Sequence, residues 1–197
     1  MPAIFRKTIT MTEPATILLL NGVGSAGKSS IAKALQEITT KPFLHFSMDV
    51  FLEMLPPRYF DHPDGLVFET IQEDGHPSIV IHEGEVSRRA LAGMRRAAAA
   101  MAEAGNNLII DDVMIGAGVA SADYTRYLAP FRLHWVGVHC ALDVLEAREA
   151  QRADRLPGLA RWQFPRVHAG MAYEFEIDTS RLTPAEAAQA IKHRFAL

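Results

Sequence analysis

The chain is nearly without cysteine: Cys140 is the single one among 197 residues. That excludes an internal disulfide framework and a cysteine-rich zinc site. Long apolar runs are also missing. The most hydrophobic stretch near the start, residues 15–20, falls far short of the ~20 residues a membrane helix needs. It leads into a glycine-rich loop rather than the small-residue cleavage site of a signal peptide. An excess of positive charge is absent too, since 20 Lys and Arg face 23 Asp and Glu, for a formal net charge of -3. A protein whose main business is the nucleic-acid backbone usually shows a basic excess. No repeat or low-complexity tract stands out. The single cysteine fits a reducing, cytoplasmic setting, and no nucleic-acid or membrane partner is expected.

What is present is ordinary for a globular protein: 49% hydrophobic and 22% charged residues. The length suits one domain with a sizeable core. After a lead-in over residues 1–14, residues 17–20 read as a strand buried on both faces. Residues 28–39 carry Ile31, Ala34 and Leu35 at helical spacing. A second strand is expected over 43–46 and a short helix over 50–55, stopped by Pro56 and Pro57. Residues 57–82, rich in Pro, Asp, His and Gly, are expected to be irregular. A long helix over 83–104 places Val86, Ala90, Met94, Ala97 and Met101 on one face and stops at Gly105. Strands follow over 108–110, 133–138 and 175–177. Helices are expected over 121–129, 141–155 and most of 159–171, and Thr183-Pro184-Ala185-Glu186 opens a last one with a capping box. The alternation predicts an α/β fold, with a parallel β-sheet flanked by helices on both faces.

The strongest motif is Gly22-Val23-Gly24-Ser25-Ala26-Gly27-Lys28-Ser29, which fits G-x-x-x-x-G-K-[ST] at every fixed position. Its glycines allow a loop whose N–H groups converge on an anion. Lys28 adds a charge for the β- and γ-phosphates, Ser29 a hydroxyl ligand for Mg²⁺, and the following helix, through Ser30, aims its N-terminus at the phosphates. A chance glycine-rich turn is the bland alternative. The apolar strand before the loop and the helix pattern after it favour nucleotide binding, with ATP and Mg²⁺ as the expected cofactors. No N-K-x-D base-reading motif and no ABC-type signature are found, and the chain is short for a motor or an AAA+ ATPase. The small-kinase group remains, in which substrate binds over the C-terminal edge of the sheet.

Asp49 follows the second strand, where a carboxylate can accept a substrate hydroxyl proton during phosphoryl transfer; capping the next helix is the alternative. Asp111 and Asp112 end an apolar strand as a metal-holding acid does in phosphate-loop enzymes. Successive strand residues face opposite ways, so their roles differ: Asp111 is placed nearer the metal and Asp112 nearer the acceptor. Arg148, Arg152 and Arg155 fall on one helical face before the break at Leu156-Pro157-Gly158, the pattern of a lid over about 148–171 that closes on the transferring phosphate. A solvated helix with Glu–Arg pairs is the alternative. The histidines are scattered, without zinc spacing, and Cys140 reads as a small core residue.

An ordered set of segments carries a resemblance. They are Leu20-Asn21-Gly22 into Ser25-Ala26-Gly27-Lys28-Ser29, then Phe46 to Asp49, then Ile109-Ile110-Asp111-Asp112-Val113. Trp135 to Val138 follows, then Arg148-Glu149 with Arg152, Asp154-Arg155 and Gly158, then Val167-His168, Gly170 and Tyr173, with Asp178-Thr179 last. Across nearly the whole chain it resembles chloramphenicol phosphotransferase and its relatives among P-loop kinases. The resemblance implies an ATP-dependent O-phosphotransferase acting on a small hydroxylated acceptor. It implies Asp49 as general base, the lid arginines on the nucleotide phosphates, and Asp178 and Thr179 near the adenine. A nucleoside, nucleotide or sugar-type kinase is the rival within enzymes. A non-catalytic ATP-binding regulator is the rival outside them.

Overall fold

The structure is a computed structural model that describes residues 13–73, 75–152 and 156–197. Most of the expected lead-in, residues 1–12, and Arg155 lie outside the described residues. In chain order the elements are β1 (Thr16–Asn21), α1 (Lys28–Ile38), β2 (Phe43–Ser47), α2 (Met48–Glu53), β3 (Leu66–Glu73), β4 (His76–Glu83) and α3 (Glu85–Glu103). Then come β5 (Asn107–Asp112), α4 (Val119–Leu128), β6 (Arg132–His139), α5 (Leu142–Ala150), α6 (Leu159–Gln163), β7 (Phe175–Asp178) and α7 (Pro184–Phe195).

Five strands form a parallel sheet in the order β2-β5-β1-β6-β7. Its central strand β1 is apolar because both of its faces are covered. Leu18 and Leu20 join Ile31, Leu35, Ala187 and Ile191 in the layer of α1 and α7. Ile17 and Leu19 join Leu91, Met94, Tyr124 and Leu128 in the layer of α3 and α4. The last helix begins as its sequence requires. Thr183 and Glu186 complete a reciprocal capping box, and Pro184 sits in the first turn. Among the described residues no helix is long and apolar enough to cross a membrane.

The structure corrects four expectations. Most of residues 57–82 is ordered, as a short 3-10 turn over 57–59 and an antiparallel hairpin of β3 and β4 whose register ends at Glu73 opposite His76. The α3 helix buries Leu91, Met94, Ala98 and Ala102, a face turned from the expected one, because Arg95 is drawn inward by Asp123 at 3.1 Å. The α5 helix ends at Ala150, so Arg148 lies within it and Arg152 beyond it, and the proposed single helical face for the arginines does not form. Only Leu159–Gln163 of the expected 159–171 helix is α-helical.

The hairpin is braced at both ends. Its base is sewn to α3 by Gly84 N–H on Gly65 O, Val86 N–H on Asp64 O and Ser87 Oγ on Gly65 O. Its far side meets the α6 region through Ile79 N–H on Gly158 O at 3.0 Å and Arg166 on Glu73 at 2.6 Å. Gly158 has φ +100, and a Cβ there would stand 2.8 Å from Pro77 O, so backbone passes where a side chain does not fit.

Candidate active site

Residues 22–29 join β1 to α1 at the C-terminal edge of the sheet. Gly27 caps α1 with φ 93 and Ser25 holds φ 66, both left-handed, so the chain turns back on itself and its amides converge. Ala26 N–H on Val23 O at 3.1 Å closes the turn. The buried Lys28 Nζ donates to Gly22 O at 2.8 Å and Val23 O at 3.1 Å, and lies 3.7 Å from Asp111 Oδ1. Gly22 is fixed by packing: a Cβ would sit 2.4 Å from Val138 O on β6.

Strand alternation aims the two acids that end β5 in opposite directions. Asp111 shares the side of Ile109, toward α1. Its Oδ2 accepts from Ser29 Oγ at 2.5 Å, with His45 Nε2 at 3.4 Å. Burial alone would raise its pKa; the Lys28 charge and the hydrogen bonds from His45 and Ser29 outweigh that and hold it below the usual carboxylate value. Asp112 shares the side of Ile110, toward α3 and α4. It accepts from Tyr124 OH at 2.8 Å and from Val113 N–H at 2.7 Å. Burial pushes its pKa up against those bonds. Asp112, expected beside the acceptor, is buried instead. It lies within the sheet–helix layer and does not line the cleft.

The cleft over the phosphate loop measures about 320 Å³. It is lined by residues 24–31, by Ser47, Met48 and Asp49 after β2, by Asp111 and Val113 after β5, and by Arg148, Arg152 and Thr179. Asp49 stands in the first turn of α2, not at its N-cap, which is Ser47. Arg148 reaches Thr179 O at 2.8 Å and Thr179 Oγ1 at 3.3 Å. Thr179 Oγ1 in turn donates to Ala26 O at 2.8 Å, tying the loop after β7 to the phosphate loop. Asp178, its neighbour, accepts from Ser180 N–H and is absent from the lining. Gly22 and Val23 act through their carbonyls on Lys28.

Two contacts escaped the sequence reading. His45 appeared as one of several scattered histidines, yet β2 pairs with β5 and carries it to Asp111. Gln163 ends α6, and its Oε1 accepts from Gly24 N–H at 2.7 Å. No spacing signals a contact between residues so far apart; only a glutamine inside an apolar helical stretch marks it.

The donor set also fits a magnesium ion. A hydroxyl and an ionised carboxylate oxygen side by side at the foot of a phosphate loop are hard ligands of the kind Mg²⁺ takes together with phosphate and water. Ser25 Oγ is buried in this loop and has no hydrogen-bond partner among the described residues. A hydroxyl so placed is a donor that a phosphate oxygen would satisfy.

Fold and site together define a phosphotransferase of the P-loop small-molecule kinase type. The sequence matches the chloramphenicol phosphotransferase-like protein family over residues 15–196, and the chain belongs to that family. A provisionally named O-phosphotransferase of Mycobacterium tuberculosis is 32% identical over 184 residues, covering 91% of this chain and 81% of that one. Among solved structures, a sugar kinase from a Janibacter species superposes with a TM-score of 0.64 at 18% identity, over 93% of this chain and 95% of its own. The APS kinase of Mycobacterium tuberculosis, solved with AMPPNP and APS, gives 0.65 at 11% identity, over 94% and 100%. At those identities the two structures share the fold.

Proposed function

We propose that the protein transfers the γ-phosphoryl group of ATP to a hydroxyl of a small, uncharged molecule of the chloramphenicol kind. The observation that carries this reading is the sharing of one cleft by the Lys28–Ser29–Asp111 knot and the carboxylate of Asp49. The loop amides, Lys28 and Ser25 Oγ bind the phosphates, and Thr179 and Arg148 sit toward the nucleoside. Ser29 and Asp111 would hold Mg²⁺, which when bound neutralises charge on the β- and γ-phosphates. Asp49 takes the hydroxyl proton as the acceptor oxygen bonds to phosphorus. The bond from phosphorus to the β,γ-bridging oxygen breaks, and ADP leaves. Arg152 offsets charge on the transferred group, and the family resemblance implies the same task for Arg155.

An uncharged acceptor is supported by the placement of the cations. Among the described lining residues they are Lys28 of the loop and Arg148 and Arg152 of the α5 segment. The acceptor-side elements contribute Ser47, Met48, Asp49 and Val113: one acid, no base and two apolar side chains.

The test is incubation with ATP, Mg²⁺ and a panel of alcohols that includes chloramphenicol, with mass spectrometry of the products. A gain of about 80 Da, one phosphoryl group, on a neutral alcohol is the expected result. Transfer confined to carboxylated or phosphorylated alcohols overturns the acceptor class. No transfer to any alcohol, with ATP still bound, supports the regulator reading instead.

A further inference from the structure

We propose that Gln163 is a positioning residue of the transfer site, holding the phosphate loop in its binding shape and coupling it to the arginine-bearing segment. This inference rests on the kinase reading of the same cleft. Gln163 Oε1 accepts from Gly24 N–H at 2.7 Å, and both groups are buried. A buried amide that loses its acceptor is costly, so the loop gives up this bond only with an unfavourable change of shape. The next residue, Ser25, is held left-handed at φ 66, a conformation a non-glycine residue keeps only when its surroundings impose it. Gln163 fixes the chain just before Ser25, and Thr179 fixes Ala26 O just after it. The loop is thus clamped on both flanks by side chains from outside it.

Gln163 is itself anchored toward the arginines. Glu149, buried in α5, accepts from Gly158 N–H through Oε2 and from Ala160 N–H through Oε1, each at 2.8 Å. One carboxylate therefore seats the start of α6, the helix whose last residue is Gln163. The carbonyl of the same Glu149 accepts from Arg152 N–H at 3.0 Å. Glu149 thus holds the root of Arg152 with its backbone and the α6 helix with its side chain, while Gln163 carries α6 to the phosphate loop. Arg152 and Gly24, both lining the cleft, belong to one hydrogen-bonded chain. A ligand that enters a loop already in its bound shape avoids the cost of ordering it.

Gln163→Met keeps length and apolar volume and removes the acceptor. Binding of ATP with Mg²⁺ is measured by titration calorimetry in the full-length protein, the Met variant, Arg152→Ala and the double variant, with thermal unfolding of each. The expected result is an affinity about tenfold lower in the Met variant, the size of one buried hydrogen bond. The double variant should lose less binding free energy than the two single losses added together. A Met variant that unfolds earlier yet binds ATP like the unsubstituted protein overturns the inference and leaves Gln163 a packing residue. Fully additive losses in the double variant overturn the coupling. Failure of the unsubstituted protein to bind ATP removes the kinase reading and this inference with it, an outcome distinct from the other two.

Discussion

Ser29 Oγ and Asp111 Oδ2 lie 2.5 Å apart although 82 residues separate them in the chain. Parallel pairing of β1 with β5 sets Leu20 beside Asp111, which brings the acid to the mouth of the phosphate loop. The hydroxyl belongs to the first turn of the next helix. The contact therefore comes from sheet register, and its loss should be felt at the phosphates rather than in the core. Asp111→Asn should lower phosphoryl transfer by about a hundredfold or more while ADP binding without Mg²⁺ stays close to normal. Steady-state kinetics over a Mg²⁺ series, paired with ADP titrations, checks both halves.

Asp49 should separate chemistry from binding. Asp49→Asn is expected to cut kcat by about 10²–10⁴, the usual worth of a general base, with ATP affinity largely kept. Lys28→Ala, in contrast, should weaken ATP binding and transfer together. Equal losses of binding and turnover in the Asp49 variant would remove its assignment as base.

Tyr124 gives a prediction about stability. It is fully buried and donates to Asp112, whose other oxygen accepts from Val113 N–H. Tyr124→Phe should destabilise the fold by about 1–3 kcal/mol, because it leaves a buried carboxylate short of a donor. Urea unfolding at pH 7 measures the change. Asp112→Asn should cost less, since burial already disfavours the charge on Asp112.

His168 makes stability depend on pH. It stacks on His139 at 4.0 Å between ring centroids and contacts Tyr173 OH through Nδ1 at 2.8 Å. Burial first, then the neighbouring His139, lowers its pKa from 6.5 to about 4. Between those values the unfolded chain binds the proton and the folded chain does not, so stability falls as pH drops from 6.5 toward 4. In His168→Gln this slope should flatten. Thermal unfolding at stepped pH values for the two proteins reads the difference.

The nucleotide half of the cleft was legible because its signals are local. A phosphate loop needs its glycines, lysine and hydroxyl at fixed spacing, and an apolar strand before it has one common use. The β3–β4 hairpin was not read, although Asp74-Gly75 between two runs of branched residues is a hairpin signal; Pro77 and the surrounding histidines and acids obscured it. Asp111 and Asp112 differed by strand parity, which the sequence shows, but which side each faces depends on the helices that cover the sheet. Arg95 entered the core because Asp123, on another helix, meets it there. Such partners are chosen by tertiary contact, and one helix's periodicity does not contain them.

The bracing of the hairpin at both ends has an evolutionary consequence. Its base is fastened to α3, whose apolar face packs with Met48, Phe51 and Leu52 around Asp49, and its other side to the segment that ends at Gln163. The hairpin is therefore a strut between the α3 layer and the α6 segment, far in sequence from Lys28 and Asp49. On the proposed function, a lineage drifting toward a new alcohol has material to vary in that strut while the reacting groups stay the same. Relatives that share the phosphate loop and Asp49 but differ in the strut would then be enzymes with one chemistry and separate tastes.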